Sequence, residues 1–217
     1  MKKTRTIISL IINIIIAVVT TGIVISYFLG NTGPLIQYGY ESFQFFTTDS
    51  NIIAAAASIC MAVSDICILN GKISTYPATI RIFKYIGTVS VMLTFCTVTF
   101  FLMQIYGPAA LFSGTSFHMH LSAPLLSAIS FCLIESDEKI PFAGSLTAIV
   151  PMLMYAVVYI INVVFIGAEN GGWNDFYSFN RNGTWYITAP IMLCATYVIS
   201  IIILLIHNFT YKKLHSK

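Results

Sequence analysis

The chain has 217 residues, of which 57% are hydrophobic and 9% charged, and a formal net charge of +3. Soluble domains carry about 25% charged residues, and a fold this apolar would not stay out of contact with its neighbours in water. The bilayer is the expected solvent. The small positive balance implies no nucleic-acid partner, because inside-facing anchors account for it.

A spanning helix needs about 20 predominantly apolar residues. Six stretches qualify, near 7-29, 44-69, 83-105, 117-134, 143-167 and 186-207. Lipid offers the backbone no hydrogen-bond partners, so each must be a helix. The expected fold is all-α: a polytopic membrane protein, one six-helix bundle and a single domain. The first stretch follows "MKKTR", and its apolar run exceeds the roughly 7 to 15 residues of a signal peptide, so it reads as a retained helix.

Cytoplasmic loops collect Lys and Arg. An inside N-terminus puts Lys2, Lys3, Arg5, Lys72, Arg81, Lys84, Lys139, Lys212, Lys213 and Lys217 on the cytoplasmic side and leaves Arg181 outside. Both termini are therefore expected in the cytoplasm, and the loops near 30-43, 106-116 and 168-185 outside.

The second stretch opens with "ESFQFFTTDSN". At about 100° per residue, Thr47, Ser50, Asn51, Ala54, Ser58, Ala62 and Asp65 share one face, with Ile52, Ile53, Ile59 and Cys60 opposite. Small and polar residues belong at helix contacts in membranes, so this stripe points into the bundle. Asp49 falls off it, at the headgroup level or as a cap. The cluster also has a plainer reading, since Thr, Asp, Ser and Asn are ordinary helix-capping residues. Asp65 is expected to pair with Lys72 or Arg81.

The fourth stretch opens with "GTSFHMHLSAPLLS". His118 and His120 point to different sides of a helix, and spacing does not choose between them; an alternative reads both as interfacial side chains. Thr47 and His120 fall at similar depth, where a hydroxyl and an imidazole can meet. Tyr155, Tyr159 and Asn162 make an i, i+4, i+7 seam rising toward the same side, and the last outer loop is rich in aromatic residues. Cys60, Cys67, Cys96, Cys132 and Cys194 lack metal-ligand spacing and read as buried small hydrophobes. No metal and no cofactor is expected.

"FFTTDSN", "MHLSAPLLS" and the six-helix layout resemble the predicted six-helix integral membrane proteins of bacteria, which are similar to the androgen-induced (androgen-dependent TFPI-regulating) membrane hydrolases of animals. The animal members are threonine hydrolases that split fatty acid esters of hydroxy fatty acids. The resemblance implies a Thr47 nucleophile and a His120 base, although Leu121 follows the histidine here where the animal motif has threonine. It also implies a multi-pass location in a bacterial plasma membrane.

Chemically, a threonine hydroxyl needs an adjacent base to attack an ester, and the oxyanion needs donors. Asn51 and Ser50 are candidates for those donors, and Tyr155, Tyr159 or Asn162 for orienting the histidine or a headgroup. The expected partner is a membrane lipid ester near the outer leaflet. Two other readings stand beside it: a non-enzymatic binding or transport module for a small ligand or headgroup, and an acyltransferase with an acceptor other than water.

Overall fold

A computed structural model describes residues 2–29 and 39–216. Met1, most of the connection between the first two helices, which the sequence reading places outside, and Lys217 lie outside the described residues. Six helices are long and apolar enough to cross a membrane: α1 (Lys3–Phe28), α2 (Phe46–Leu69), α3 (Ala78–Tyr106), α4 (Gly114–Ile134), α5 (Phe142–Ile166) and α6 (Trp185–His215). No strand occurs among the described residues. These helices mark a multi-pass membrane protein.

Two boundaries differ most from the sequence reading. α3 starts at Ala78 rather than near 83, because Pro77 stands at its N-cap with a fixed φ of −56° and leads directly into a helix. α6 continues to His215 through Lys212 and Lys213, good helix formers beyond the apolar run.

The surface is apolar and the interior partly polar, the reverse of a soluble bundle. On α1, Ile7, Ile8, Ile11, Ile14, Ile15 and Val18 are exposed, whereas Thr6, Ser9, Asn13 and Thr20 are buried. On α2, Ser50, Asn51, Ala54, Ser58, Ala62 and Asp65 are all buried, and Ile59 is exposed. Small residues let backbones approach closely in membranes. Gly87 of α3 shows how closely: a Cβ built there would lie 3.0 Å from the Ala54 Cα and 3.4 Å from the Ala57 Cβ. α3 is the central element, packing against α2, α4, α5 and α6. Of the cysteines, Cys132 is buried, but Cys194 is exposed and the others half-buried, so only Cys132 fits the reading as a buried hydrophobe.

Contacts order the bundle along its axis. The start of α1 meets the end of α4, through Arg5 and the Ile134 carbonyl at 2.6 Å, and the end of α6 meets the α4–α5 connection, through Asn208 and the Ile140 carbonyl at 2.9 Å. Both chain ends therefore lie toward one half, called here the terminal half. The heads of α2, α4 and α6 lie in the opposite half.

Three helices are irregular. α3 widens into a π turn at Val98–Leu102, α4 at His118–Ser122 and Ser130–Ile134, and α5 at Ile161–Ile166. Such turns are frequent at functional sites, and one of them carries both α4 histidines.

Candidate functional site in the half opposite the termini

α2 begins with Phe46 after Phe45 at the N-cap, and no side chain of its own first turn caps it. The capping reading of Thr48 and Asp49 therefore fails. The phenol of Tyr177, from the loop before α6, accepts the Phe46 amide at 3.1 Å instead. This loop is folded onto the bundle by Asp175, whose carboxylate accepts from the Tyr159 hydroxyl at 3.0 Å, the Phe179 amide at 2.7 Å and the Asn180 amide at 2.9 Å. Burial pushes the Tyr177 phenol up to about 12, against the opposing pull of the nearby Tyr155 and Thr47 hydroxyls and the Phe46 amide. It is a neutral hydrogen-bond donor at physiological pH.

Beneath Tyr177 lies a cavity of about 380 Å³. Thr47 and Phe46 form one wall, α3 contributes Leu93 to Leu102, α5 Met152 and Tyr155, and α6 Thr188 to Ile199. Its few polar side chains include Thr47, Thr94, Thr97, Tyr155 and Tyr177; the rest of the wall is mainly aliphatic and aromatic. Phe100, Phe101 and Ile191 belong to the lining and are also exposed on the outside of the bundle. The cavity therefore communicates with the lipid-facing flank between α3 and α6.

The other sequence candidates take distinct positions. Tyr155 is on the wall, its hydroxyl donating to the Gln44 carbonyl at 2.7 Å. Tyr159 is off it, holding the loop through Asp175. Asn162 donates to the Val158 carbonyl of its own helix at 2.9 Å. Ser50 bonds the Thr94 hydroxyl at 2.9 Å and donates to the Thr47 carbonyl at 3.1 Å. Asn51 donates from Nδ2 to the Thr47 carbonyl at 2.8 Å and the Met119 carbonyl at 3.0 Å, while its buried Oδ1 has no partner.

Neither histidine lines the cavity, and no hydrogen bond joins Thr47 to an imidazole among the described residues. His120 Nδ1 lies 2.6 Å from the Leu111 carbonyl. A carbonyl only accepts, so Nδ1 carries the hydrogen and Nε2 keeps a free lone pair. His118 turns to α1: Nε2 lies 3.0 Å from the Thr20 hydroxyl and Nδ1 2.8 Å from the Ser122 hydroxyl. The hydroxyl–imidazole contacts brought together in this structure are thus Thr20–His118 and Ser122–His118, with Thr20 fully buried.

Tyr177, Thr94, Thr97 and Thr188 were not picked out from the sequence. The threonine-bearing run "TFCTVTF" on α3 and the aromatic loop held the only signals. Nor does Asp65 meet Lys72 or Arg81. It accepts from the Tyr76 hydroxyl at 2.7 Å and the Ser9 hydroxyl at 2.8 Å, and Arg81 instead pairs with Glu138 at 2.7 Å. Scans against family models, curated proteins and solved structures each return no match for this chain.

Proposed function

We propose that the protein is an intramembrane lipid-ester hydrolase whose substrate enters sideways between α3 and α6. The observation that carries this reading is the Thr47 hydroxyl on the wall of a largely apolar cavity whose rim residues also face lipid. Sites for apolar ligands have this character, a mostly hydrophobic lining with a few placed polar groups. An acyl chain would lie among Leu93, Val98, Met192 and Ile199, with the ester beside Thr47.

In the reaction, the Thr47 hydroxyl attacks the ester carbonyl, a base takes its proton, and the alcohol leaves with a proton returned by that base. Water then releases the fatty acid from the threonine ester. The neutral Tyr177 phenol is suited to donate to the oxyanion. His120, with Nε2 free, has the tautomer a base needs, and it must approach Thr47 for this step. The excess of Lys and Arg toward the terminal half supports cytoplasmic termini, hence a cavity at the outer leaflet of a bacterial plasma membrane.

A second reading rests on the absence of an imidazole from the cavity wall: a module that binds a lipid chain without chemistry. Labelling in detergent with a fluorophosphonate probe, together with fatty-acid release from hydroxy-fatty-acid esters, separates the two. Hydrolysis predicts labelling and turnover that are lost in Thr47→Ala and in His120→Ala. Labelling that persists in Thr47→Ala removes Thr47 as nucleophile. No turnover, with saturable binding of a fluorescent fatty acid, establishes the binding module.

A further inference from the structure

The terminal half contains a second polar assembly that the cavity does not use. Asp65 of α2, Lys84 of α3 and Glu135 at the end of α4 are 0%, 1% and 1% exposed. Ionisable groups inside a membrane bundle are costly and mark function by default. Lys84 Nζ donates to Asn13 Oδ1 at 2.6 Å and Ser58 Oγ at 2.9 Å, so it meets neither carboxylate directly. Asn13 Nδ2 donates to Glu135 Oε1 at 2.7 Å, and Ser130 donates to that same oxygen.

Hydrogens are short at the two carboxyls. The Ser9 hydroxyl has one hydrogen, yet its oxygen lies 2.8 Å from Asp65 Oδ2 and 3.2 Å from Glu135 Oε1. Whichever contact receives it, the other sets two oxygens face to face. Glu135 Oε2 is buried with no partner. With all three groups ionised, two negative charges face one positive charge in a medium that penalises net buried charge. One added proton removes both the oxygen–oxygen conflict and the charge imbalance.

We propose that Asp65 and Glu135 form a proton-binding site that holds one exchangeable proton between them at neutral pH, with Lys84 as its fixed counter-charge. The other charged or titratable groups around it have their own partners. Arg5 donates to the Ile134 carbonyl and faces Asp137 at 3.8 Å, and Arg81 pairs with Glu138. Tyr76 donates to Asp65. On α6, His207 sets both ring nitrogens on carbonyl oxygens, Phe131 at 2.9 Å and Glu138 at 3.0 Å, so a cationic ring there is the rival source of the missing positive charge. Proton release leaves two anions across the junction of α1, α2 and α4, which loosens it.

Infrared difference spectroscopy of the reconstituted protein between H2O and D2O tests this through the carbonyl stretch of a buried carboxylic acid. All proteins carry Asp49→Asn, which removes the half-buried carboxyl at the head of α2, and the otherwise wild-type chain shows one such band at neutral pH. Asp65→Asn and Glu135→Gln each lose it, because one carboxylate then balances Lys84. Lys84→Met doubles it, because neutrality then needs two protons. Ser9→Ala, which leaves every ionisable group in place, keeps the band at a shifted frequency. No acid band in the otherwise wild-type chain overturns the proposal regardless of how the variants fold. Its absence, combined with an imidazolium signature lost in His207→Gln, would move the proton to α6. A band that survives both carboxyl substitutions overturns it as well.

Discussion

Asn51 of α2 donates to the Met119 carbonyl of α4 at 3.0 Å, tying the head of one helix to the peptide between His118 and His120. The same amide reaches the Thr47 carbonyl at 2.8 Å. One side chain therefore sets the spacing between the threonine segment and the histidine segment.

Asn51→Ala leaves the Met119 carbonyl without this donor, and a buried unsatisfied group costs about 1–3 kcal/mol. Thermal unfolding in detergent should show a lowered midpoint. Asn51→Asp should be worse, because it turns an acceptor toward two carbonyls. A midpoint unchanged in both would mean that the contact contributes nothing.

Gly87→Val probes the closest helix approach. The added side chain meets the Ala54 backbone at contact distance, and overpacking costs typically 1–3 kcal/mol. Reduced stability is expected, partly recovered by Ala57→Gly in the same chain. Failure of that second change to recover anything would place the strain elsewhere.

Ala195→Trp fills the cavity from the α6 side and leaves the Thr47 hydroxyl in the chain. Fatty-acid binding and ester turnover should both fall at least tenfold while the unfolding midpoint stays close to wild type. Turnover that persists would separate the chemistry from this cavity.

Tyr177 predicts an alkaline limit. Its buried phenol is raised from 10.0 to about 12, so the folded state keeps a proton that the unfolded chain has lost. Stability must fall as pH rises between those values. Tyr177→Phe removes its share of that fall, giving a shallower decline of unfolding midpoint with pH. It also removes the acceptor for the Phe46 amide, worth about 1 kcal/mol at neutral pH.

The sequence made the helices and the inward face of α2 legible, because apolar length and a 100° wheel are local properties. Ser50, Asn51, Ser58 and Asp65 are buried as the wheel requires. Their partners were not legible. Asp65 finds Tyr76 and Ser9 because loop closure and the α1–α2 crossing place those hydroxyls nearer than any cation, and no pattern in α1 reveals that Ser9 and Asn13 meet at Glu135 while Thr20 faces His118. Tyr177 reaches the start of α2 only because Asp175 folds the loop back. His118 and His120 stand in a π turn, where an α-helical wheel assigns directions incorrectly.

That wide turn has a genealogical consequence. A π turn holds one residue more than the α-helical turn it replaces, within a helix that stays continuous around it. Removing one residue from His118–Ser122 would restore regular winding and leave the two flanks of α4 in register, because the wide turn absorbs its extra residue locally. The change would fall on the turn itself, where His118 meets Thr20 and His120 meets the Leu111 carbonyl. Homologues one residue shorter here would therefore have to rebuild the surroundings of both histidines.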